Sequence, residues 1–365
     1  MPRVNVVNRT GIERTARIAQ VEGMFDMSPA EESEQQWSFN FPIEERDWQI
    51  GLIVGPSGSG KSTVAKEVFE SNLVKEFDWP GNRAIVDGFT EDATVKEVTK
   101  ALGSVGLSSP PAWRRPYQTL STGEQFRATI ARALVESKSP IVIDEFTSVV
   151  DRDVAKVASA AIAKAVRKTD KQFVAVGCHY DVLDWLQPDW VLQPATGDFE
   201  WRSERRRPEI QLDIRRTDRS AWRFFAHHHY LDHGLNATAG PRCYVAFWGD
   251  KPVAFTSWIP FPLPGKKQAA LREHRTVVLP DFQGVGIGNS LSDTMAGYFV
   301  GQGWKVYSST SSPGMVRHRA KSSKWKMKRK PSLMQGKQDG LSGWQMKSAK
   351  RYSASFEFVG NGERD

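Results

Sequence analysis

The chain has 365 residues, of which 39% are hydrophobic, 11% aromatic and 25% charged, and its formal net charge is +8. This composition excludes an intrinsically disordered chain, and the length favours two domains over a single core. Only two cysteines occur, which excludes a disulfide framework, and no apolar run reaches the roughly 18 residues of a membrane-spanning helix. We therefore expect a cytoplasmic protein with two folded domains and no membrane partner.

Charge is distributed unevenly along the chain. Residues 1–200 contain 22 Lys/Arg and 29 Asp/Glu, a net charge of −7, whereas residues 201–365 contain 28 and 13, a net charge of +15. A basic half attached to an acidic half favours contact between the second half and a polyanion such as nucleic acid. The alternative is a basic domain without a nucleic-acid role.

The first predicted elements surround a glycine-rich loop. Residues 1–50 alternate polar and apolar positions, as in ARIAQVEGMF and WSFNFPI, and this alternation predicts antiparallel strands. IGLIV (50–54) is a short apolar strand, GPSGSGKS (55–62) is a glycine-rich turn, and STVAKEVFES is the following helix. Further strands are predicted at RAIVDGF, PIVIDEF and KQFVAVGCH, with helices between them. Strands that alternate with helices predict a parallel sheet with crossover connections.

The glycine-rich turn has the context in which its motif binds nucleoside triphosphates, between a strand and a helix. Its glycines let backbone N–H groups approach phosphate oxygens, and the helix N-terminus adds positive potential. Lys61 would neutralise the β- and γ-phosphates, and the Ser62 hydroxyl would hold Mg²⁺. The predicted nucleotide-binding residues are Gly55, Ser57, Gly58, Gly60, Lys61, Ser62 and Thr63.

Two later strand ends carry residues suited to phosphoryl transfer. In IVIDEF (141–146), Asp144 should hold Mg²⁺ through water, and Glu145 should polarise the attacking water. His179 follows the strand KQFVAVGCH and would contact the γ-phosphate. We therefore predict Glu145 and His179 as catalytic residues and Asp144 as a metal ligand together with Ser62.

The motif LSTGEQ (120–125), taken with the motifs above, resembles the signature of the ABC ATPase family, usually written LSGGQ. The resemblance covers about residues 1–200. It implies that Ser121 and Gly123 of one protomer touch the γ-phosphate held by the glycine-rich loop of the other. It therefore implies an ATP-dependent head-to-tail homodimer, with an antiparallel β subdomain and a helical subdomain beside the P-loop sheet.

The sequence departs from the ABC pattern in two places. The family's Gln before the signature has no clear counterpart, and we assign Asp87, at the end of RAIVDGF, to its place as a possible Mg²⁺ ligand. The alternative is that Asp87 only begins a turn. Lys61 and Ser121 are only 60 positions apart, which implies a reduced helical subdomain. An upstream aromatic residue would stack on adenine, although core packing explains such residues equally well; the candidates are Phe25, Trp37 and Phe39.

An Arg-rich segment, WRSERRRPEIQLDIRRTDRS (201–220), separates the halves, and the predicted domains are residues 1–205 and 206–365. The pattern beyond it predicts the helix SAWRFFAHHHYL and strands at RCYVAFWG, KPVAFTSWIP and LREHRTVVL. The turn QGVGIG (283–288), the helix NSLSDTMAGYFVGQG and the strand KVYSST follow.

The turn QGVGIG, between a strand and a helix, resembles the R/Q-x-x-G-x-G/A turn of the GNAT acyltransferases, which binds the pyrophosphate of coenzyme A through backbone N–H groups. The resemblance covers roughly residues 220–325 and implies a mixed α/β sheet and acetyl-CoA or another acyl-CoA as donor. A dinucleotide-binding turn is the rival interpretation, disfavoured because no acidic residue ends the strand WKVYSST. The implied cofactor-binding residues are Val277 and Val278 on the strand, then Gln283, Gly284, Gly286, Gly288 and Asn289.

The residues that move protons in the second half follow no motif. Many GNAT enzymes have a Tyr on the helix after the next strand, and SSPGMVRHRAKSSKW contains none. Glu273 and His274 on the preceding strand are candidate bases. The candidate replacements for the Tyr are Ser309, Ser311 and His318.

A histidine cluster, HHHYLDH, offers His228, His229 and Tyr230 as further polar groups. His229 and His233 have the i,i+4 spacing that suits a metal on a helix, but no carboxylate or thiol completes a ligand set. Packing or substrate contact is the simpler interpretation.

The segment FFAHHHYLDHGL, followed by RCYVAFWGDKPVAFTSW, is similar to the GNAT-like Mom proteins of phages, which modify adenine in DNA. This resemblance implies a nucleic-acid base as acceptor. The basic segment 314–330, with eight Lys/Arg and no acid, would then bind phosphates while Trp325 stacks on a base. A solvated basic tail is the alternative.

These predictions describe one α/β enzyme, an ABC ATPase domain that uses ATP and Mg²⁺ joined to a GNAT domain that uses acyl-CoA. The predicted acceptor is nucleic acid, DNA more than tRNA, in a phage-type setting within the host cytoplasm. Three alternatives stay open. In the first, the acceptor is tRNA, aminoacyl-tRNA or a small amine. In the second, the second half only binds acyl-CoA or nucleic acid without catalysis. In the third, the chain is a transporter subunit.

Overall fold

The computed structural model describes residues 3–28, 32–203, 208–229, 234–235, 240–262, 269–333 and 352–360. The chain divides into two compact units. The first comprises Met1–Ser108 and Ala112–Pro208, and the second comprises Glu209–Asp365 and Ser109–Pro111. Each unit has its own sheet, so the predicted α/β class is confirmed.

The first unit combines an antiparallel strand pair with a five-stranded sheet. The pair spans Arg3↔Asn40 to Gly11↔Glu32. The elements of residues 3–203 are β1 (Arg3–Gly11), α1 (Ala16–Phe25), β2 (Glu32–Asn40), β3 (Ile50–Val54), α2 (Lys61–Phe69), α3 (Val95–Ser104), α4 (Pro110–Trp113), α5 (Thr122–Glu136), β4 (Ile141–Ile143), α6 (Arg152–Val166), β5 (Phe173–Gly177), α7 (Leu183–Leu186), β6 (Trp190–Gln193) and β7 (Asp198–Trp201).

The five-stranded sheet has the order β4-β5-β3-β6-β7. β3 pairs in parallel with β5 and β6, β4 pairs in parallel with β5, and only the edge strand β7 is antiparallel. Every residue of β3, β4 and β5 is buried, as expected for apolar strands covered on both faces. The carboxyl ends of these three strands therefore meet at one edge of the sheet.

Two predicted strands of the first unit are wrong. ARIAQVEGMF forms α1, because Ile18, Val21 and Phe25 recur at the helical spacing of three and four residues and Thr15 caps the helix. RAIVDGF forms a 3₁₀ turn, Ile85–Gly88, rather than a strand. Short apolar runs do not distinguish these structures by periodicity.

The second unit is built on a seven-stranded sheet with the order β13-β14-β12-β11-β10-β9-β8. β11 and β12 are parallel, and all other neighbours are antiparallel. Its elements are β8 (Asp213–Thr217), α8 (Trp222–Phe225), β9 (Arg242–Trp248), β10 (Lys251–Pro260), β11 (Ala270–Val278), α9 (Ile287–Gly301), β12 (Lys305–Thr310), α10 (Pro313–Lys321), β13 (Trp325–Leu333) and β14 (Tyr352–Phe358).

The second unit also departs from the sequence-based expectation. The predicted helix SAWRFFAHHHYL is a single α-helical turn, α8, flanked by 3₁₀ turns at Arg219–Ala221 and Ala226–His228. The basic segment 314–330 is not a tail, since it forms most of α10 and the first part of β13. Because β13 pairs with β14, residues 325–330 of this segment belong to the sheet.

Candidate functional site

The glycine-rich loop of the first unit connects β3 to α2. Gly58 and Gly60 have φ of 78° and 85°, a left-handed conformation that side chains disfavour. Lys61 opens α2 and is buried, and its Nζ donates a hydrogen bond to the carbonyl of Pro56 at 2.8 Å. Gly55 lies close to Ser59, since a Cβ there would meet Ser59 Oγ at 2.8 Å. The loop is thus wrapped around an ammonium group at a helix N-terminus, an arrangement that suits phosphate. The other predicted nucleotide-binding residues, Ser57 and Thr63, precede and follow Lys61 in the sequence.

The magnesium ligands predicted from two separate motifs lie side by side. Ser62 Oγ donates a hydrogen bond to Asp144 Oδ1 at 3.1 Å, across 82 residues of sequence. Both groups are oxygen donors, which Mg²⁺ prefers, and one is an acidic carboxylate. The structure therefore brings together the two residues that could hold the metal.

Glu145 follows Asp144 in a left-handed conformation, with φ of 51°. Its N–H donates to Asp144 Oδ1 at 2.8 Å, and its side chain is exposed. A non-glycine residue in this region is uncommon, and such strained positions occur at functional sites as well as in turns. The Asp144 carboxylate thus faces Ser62, whereas the Glu145 side chain is exposed to solvent.

His179 leaves the same edge of the sheet. β5 lies between β3 and β4, and its last residue, Gly177, pairs with Val54 at the end of β3. His179 is partly buried just beyond that strand end. Its predicted contact with the γ-phosphate stays a prediction.

Asp87 is placed differently from the expectation. It lies in the 3₁₀ turn Ile85–Gly88 and is exposed, so the strand end on which its assignment rested is missing. The turn forms because Gly88 packs under Trp79, where a Cβ would lie 2.6 Å from the indole. The alternative that Asp87 belongs to a turn is the one the fold supports.

Of the three aromatic candidates for adenine stacking, Trp37 is the one beside the loop. A Cβ on Gly60 would lie 2.2 Å from the Trp37 ring, so the indole rests directly on this glycine. Phe39 is 4% exposed and packs edge-on against Phe41 in the core. Phe25 is 69% exposed on α1.

The signature motif begins α5. Ser121 is the N-cap, its Oγ accepts from Glu124 N at 3.3 Å, and Glu124 Oε2 accepts from Ser121 N at 2.9 Å. This capping box fixes the first turn of a 15-residue helix. Ser121 is exposed and Gly123 is buried, so the helix presents its N-terminus to solvent. Contact with another protomer's nucleotide stays a prediction.

In the second unit, β11 and β12 run side by side for only a short distance. Their ladder extends from Ala270↔Lys305 to Glu273↔Ser308. Beyond it, β11 continues beside β10 and β12 continues beside β14. The two parallel strands therefore part, and the sheet opens as a wedge between them.

A β-bulge lies where the strands part. Glu273 and Arg275 pair with consecutive residues of β10, so His274 is an extra residue in β11. A bulge bends a strand and redirects its side chains. As a result Glu273 and Thr276 lie on one face of β11, where Thr276 Oγ1 donates to Glu273 Oε1 at 2.6 Å.

The second glycine turn follows the parted end of β11. Gly284 and Gly286 have φ of 93° and 101°, and Gly286 is the N-cap of α9. Gln283 Nε2 donates to the carbonyl of Val278 at 2.8 Å, which holds the turn against the strand end. A Cβ on Gly288 would lie 3.1 Å from Val278 Cγ2, so this glycine lets α9 approach β11. The N–H groups at the start of α9 are thereby placed beside the wedge, as a pyrophosphate would require.

Three other residues predicted to bind the cofactor have different surroundings. Val277 is 5% exposed and packs in a core cluster with Trp222 and Phe255, so only its backbone is available to a ligand. Asn289 lies in the first turn of α9 and is partly buried, as is Val278 on the opposite face of β11.

Glu273 is held in a buried polar network that no sequence motif indicated. Its carboxylate pairs with Arg319 at 2.7 Å and accepts from Ser308 Oγ at 2.6 Å. Arg319 also donates to Ser292 Oγ at 2.7 Å, so the network joins β11, β12, α9 and α10. Burial raises the pKa of Glu273, but the charge of Arg319 and the hydrogen bonds from Ser308 and Thr276 outweigh it and leave the pKa lowered. An ionised, fully partnered carboxylate suits the positioning of the parted strands better than proton abstraction.

Replacing Arg319 by Met should destabilise the protein by about 3–5 kcal/mol, because Glu273 would remain as a buried charge without its partner. Urea unfolding followed by tryptophan fluorescence measures this free energy. Arg215→Met is the matched control, since the Arg215–Asp213 pair is exposed and such pairs contribute about 1 kcal/mol or less. Equal losses in both variants would show that the network does not hold the strands.

His274 is the second predicted base, and its pKa differs from that of an ordinary histidine. Burial, followed by the charges of Arg275 and Arg272, lowers the pKa of His274 to about 4. The imidazole is therefore neutral at pH 7, and its lowered pKa makes it a weaker base than an ordinary histidine. It lies at the bulge, where β11 and β12 part, so of the two candidates it is the better placed.

The lowered pKa of His274 predicts a pH-dependent stability. Between pH 6.5 and about 4 the unfolded chain binds a proton that the folded chain does not, so stability falls as the pH falls through this window. In His274→Gln, the loss of stability that His274 causes between pH 6.5 and about 4 should disappear. Thermal unfolding at several pH values, compared with the exposed control His227→Gln, measures it. The same loss of stability on acidification in His274→Gln and wild type would refute the assignment.

The remaining candidates lie apart from the bulge or outside the described residues. Ser309 is exposed and its Oγ lies 2.9 Å from Ser355 Oγ on β14, and Ser311 lies between β12 and α10. His318 Nε2 lies 3.2 Å from Asp293 Oδ2, so its side chain is directed to α9. Tyr230 and His233 lie outside the described residues. His228 is partly buried and His229 is buried against Trp222. Among the described residues, no group of three or more His, Cys, Asp or Glu side chains is arranged as a metal site.

The role predicted for Trp325 is wrong. Its side chain is 4% exposed, donates from Nε1 to Asp293 Oδ1 at 2.7 Å and packs on Phe358. The Arg319 guanidinium lies over its ring at 4.4 Å. A core tryptophan cannot stack on a nucleic-acid base, so an aromatic contact must come from elsewhere. Within the described parts of the chain, no helix is both long and apolar enough to cross a membrane.

Comparison with known proteins gives the two halves separate relatives. The model of the acetyltransferase (GNAT) family matches residues 182–315. ABC transporter I family member 10 of Arabidopsis thaliana is 30% identical over 131 residues, which cover 28% of this chain and 47% of that protein. The energy-coupling factor transporter ATP-binding protein EcfA1 of Leuconostoc mesenteroides subsp. mesenteroides is 27% identical over 173 residues, covering 37% of this chain and 61% of that protein.

A solved structure, the dimeric form of a bacterial ABC transporter cassette, matches 46% of this chain and 89% of its own length, at 17% identity and a TM-score of 0.36. The chain spans about half to three fifths of the curated relatives it matches. The first half is therefore similar to ABC ATPases, and residues 182–315 are similar to the GNAT family.

Proposed function

We propose that the chain hydrolyses ATP in its first half and transfers an acyl group from acyl-CoA to an amine of a nucleic-acid base in its second half. The main structural support for acyl transfer is the wedge-shaped gap between β11 and β12. It is followed, after the end of β11, by a turn in which Gly284 and Gly286 have left-handed backbone conformations. The GNAT family match over residues 182–315 supports the same assignment.

The residues proposed for ATP hydrolysis lie at the carboxyl ends of the strands of the first sheet. The amides of the glycine-rich loop and Lys61 bind the phosphates, while Ser62 and Asp144 would hold Mg²⁺, which neutralises charge on the transferring phosphoryl group. Glu145 orients and polarises the attacking water, and His179 contacts the γ-phosphate. The Ser62–Asp144 hydrogen bond of 3.1 Å is the geometric support for the metal site.

A head-to-tail homodimer completes the ATP site in this proposal. Ser121 is exposed at the N-terminus of α5, and the positive potential of a helix N-terminus favours an anion. In a dimer, the γ-phosphate bound by one protomer would meet Ser121 and Gly123 of the other. ATP binding would then close the dimer, and hydrolysis would release it.

Acyl transfer follows the chemistry of a thioester. The acceptor nitrogen attacks the carbonyl carbon, a C–N bond forms, the C–S bond breaks, and the thiolate of coenzyme A leaves. His274 takes the proton from the nitrogen in this proposal, because its backbone lies at the bulge where the strands part and its imidazole is neutral at pH 7. The protonated imidazole is acidic, so it passes this proton to the thiolate, and coenzyme A leaves as the thiol while His274 returns to its neutral form.

A nucleic-acid acceptor is supported by charge. Residues 201–365 carry a net charge of +15, and such charge supplies sequence-independent affinity for phosphates. DNA base modification of the kind carried out by phage Mom proteins is the specific form of this proposal. A base in a duplex must leave the stack before it can react, which costs a few kcal/mol, and ATP-driven closure of the dimer could hold the strand open.

Mass spectrometry of nucleosides tests the proposal. Protein, Mg²⁺-ATP and acetyl-CoA are incubated with DNA and, separately, with tRNA. An acyl mass shift on a DNA nucleoside supports the proposal, and a shift only on tRNA moves the acceptor to RNA. Release of coenzyme A without a shift on either polymer indicates a small amine as acceptor. Acyl-CoA binding without release indicates a binding module.

A further inference from the structure

One face of the sheet carries two rows of polar side chains across β12, β14 and the edge strand β13. Directly opposed residues of neighbouring strands lie on the same face of a sheet. Tyr307 pairs with Glu357, which pairs with Lys326. Ser309 pairs with Ser355, which pairs with Arg329. We call this surface the edge face, defined by these six residues.

Side-chain contacts agree with this arrangement. Tyr307 Oη donates to Glu357 Oε1 at 3.2 Å, and Lys328 Nζ lies 3.1 Å from Glu357 Oε2. Ser309 Oγ and Ser355 Oγ are 2.9 Å apart. Contacts between neighbouring strands therefore fix the positions of the serine hydroxyls and of the Tyr307 ring.

The outer strand of this face is strongly basic. Lys326 and Arg329, which the strand pairing places on this face, are exposed on β13, an edge strand of the sheet, and the side chain of Lys328 also reaches Glu357. Glu357 is the acid that faces them, and Lys328 already pairs with it. The remaining positive charge is suited to phosphates, with serine hydroxyls as additional donors.

The inner end of the face is aromatic. The rings of Tyr307 and Phe261 lie 5.5 Å apart, and the Arg272 guanidinium lies over the Phe261 ring at 5.2 Å. Tyr307 is partly exposed. An aromatic ring beside basic side chains is the combination with which proteins bind unpaired bases.

The second row leads to the bulge. Ser309 follows Ser308, and His274 follows Glu273, while Glu273 and Ser308 are the last pair of the β11–β12 ladder. Neighbouring strands lie about 4.8 Å apart, so the distance from β13 to the parted strands is roughly 14 Å. A chain of nucleotides lying across the edge face would thus reach the place where acyl transfer is proposed.

We infer that the edge face binds single-stranded nucleic acid, with backbone phosphates on Lys326 and Arg329 and one base stacked on Tyr307. This inference rests on the proposed function for its acceptor, and it adds which surface binds the strand and that the strand is unpaired. DNA and RNA share the chemistry that this face recognises, so both are used in the test.

The test measures binding of the full-length protein to fluorescent 20-nucleotide oligothymidylate and oligouridylate and to a blunt DNA duplex. Lys326→Ala/Arg329→Ala should weaken binding of single strands at least tenfold and reduce the slope of log K against log salt by about 1.4. Arg219→Ala/Arg223→Ala removes the same charge from exposed positions near α8 and is the matched control.

Stacking is tested separately at Tyr307. Tyr307→Leu should weaken binding about tenfold, whereas Tyr307→Phe keeps the ring and should bind as wild type does. Loss in both variants would mean that the Tyr307–Glu357 hydrogen bond matters and stacking does not. That result would overturn the base-stacking part of the inference.

The outcomes separate the inference from the proposed function. If wild type binds single strands and the edge-face variants bind equally well, the inference fails while a nucleic-acid acceptor stands. If both double variants lose the same affinity, binding is non-specific electrostatics and the inference fails. Tighter binding of the duplex than of single strands also overturns it. If wild type binds no polymer, the nucleic-acid acceptor fails as well, whereas binding of acetyl-CoA measures the donor site independently.

Discussion

Replacing Glu145 by Gln is expected to lower the rate of ATP hydrolysis by about two to three orders of magnitude, while ATP still binds. A positioned general base contributes about 10²–10⁴ in rate, and Gln keeps the shape of Glu without its charge. Glu145 is exposed beyond β4, and its backbone N–H already binds Asp144 at 2.8 Å. The substitution therefore leaves the proposed metal ligands in place. Phosphate release under saturating Mg²⁺-ATP and binding of a fluorescent ATP analogue measure the two quantities.

The control is Glu200→Gln, the same chemical change on β7. Glu200 is exposed, and β7 lies at the edge of the sheet opposite β4. Its ATPase rate should equal that of wild type. If Glu145→Gln hydrolyses ATP at the wild-type rate, another group activates water. If the variant also forms an ATP-dependent dimer by sedimentation, the head-to-tail proposal gains support; a monomer at every ATP concentration would contradict that proposal.

Replacing Gly286 by Val is expected to reduce acyl-CoA affinity at least about 100-fold. Gly286 has φ of 101°, where a β-branched residue is strained by about 1–3 kcal/mol. Relief of that strain would turn the N–H groups at the start of α9 away from the pyrophosphate, and each hydrogen bond to a charged group contributes about 1.5–3 kcal/mol. Calorimetric titration with acetyl-CoA measures the affinity.

Gly301→Val is the matched control at the other end of α9. A Cβ at Gly301 meets nothing within 4 Å, and its backbone does not adopt the left-handed conformation. This variant should bind acetyl-CoA as wild type does. Wild-type affinity in Gly286→Val would show that the turn does not bind the cofactor. In both variants the ATPase rate should be unchanged, since the first unit has its own sheet.

The α/β class could be predicted because its signals are local. GPSGSGKS and QGVGIG each join a strand to a helix, and the structure places each at such a junction. The strands predicted where the structure has α1 and the 3₁₀ turn at 85–88 are wrong, because the local signal there is ambiguous. A short apolar run is compatible with several local structures. Burial of Ile85 and Gly88 accompanies the turn, whereas α1 has no buried residue and follows from its helical spacing and the Thr15 cap.

The role of Glu273 could not be read from its neighbours in sequence. Its ionic partner, Arg319, is 46 residues away, and sequence alone made Glu273 a candidate base. Trp325 presents the same difficulty, since a tryptophan among lysines predicts an exposed aromatic, yet its partner Asp293 is 32 residues away. Both side chains are satisfied by residues that only folding brings near.

The amino-acid sequence by itself determined the motifs, their order and the uneven charge, because phosphate-binding turns need particular residues at fixed spacing. The tertiary structure decided which side chains share a site. It brought Ser62 to Asp144 and placed His274 in a bulge beside the parted strands. It buried Trp325 in the core and aligned Tyr307, Ser309, Lys326 and Arg329 on one face. Pairing register and burial depend on contacts between distant segments, and such contacts have no local signal in the chain.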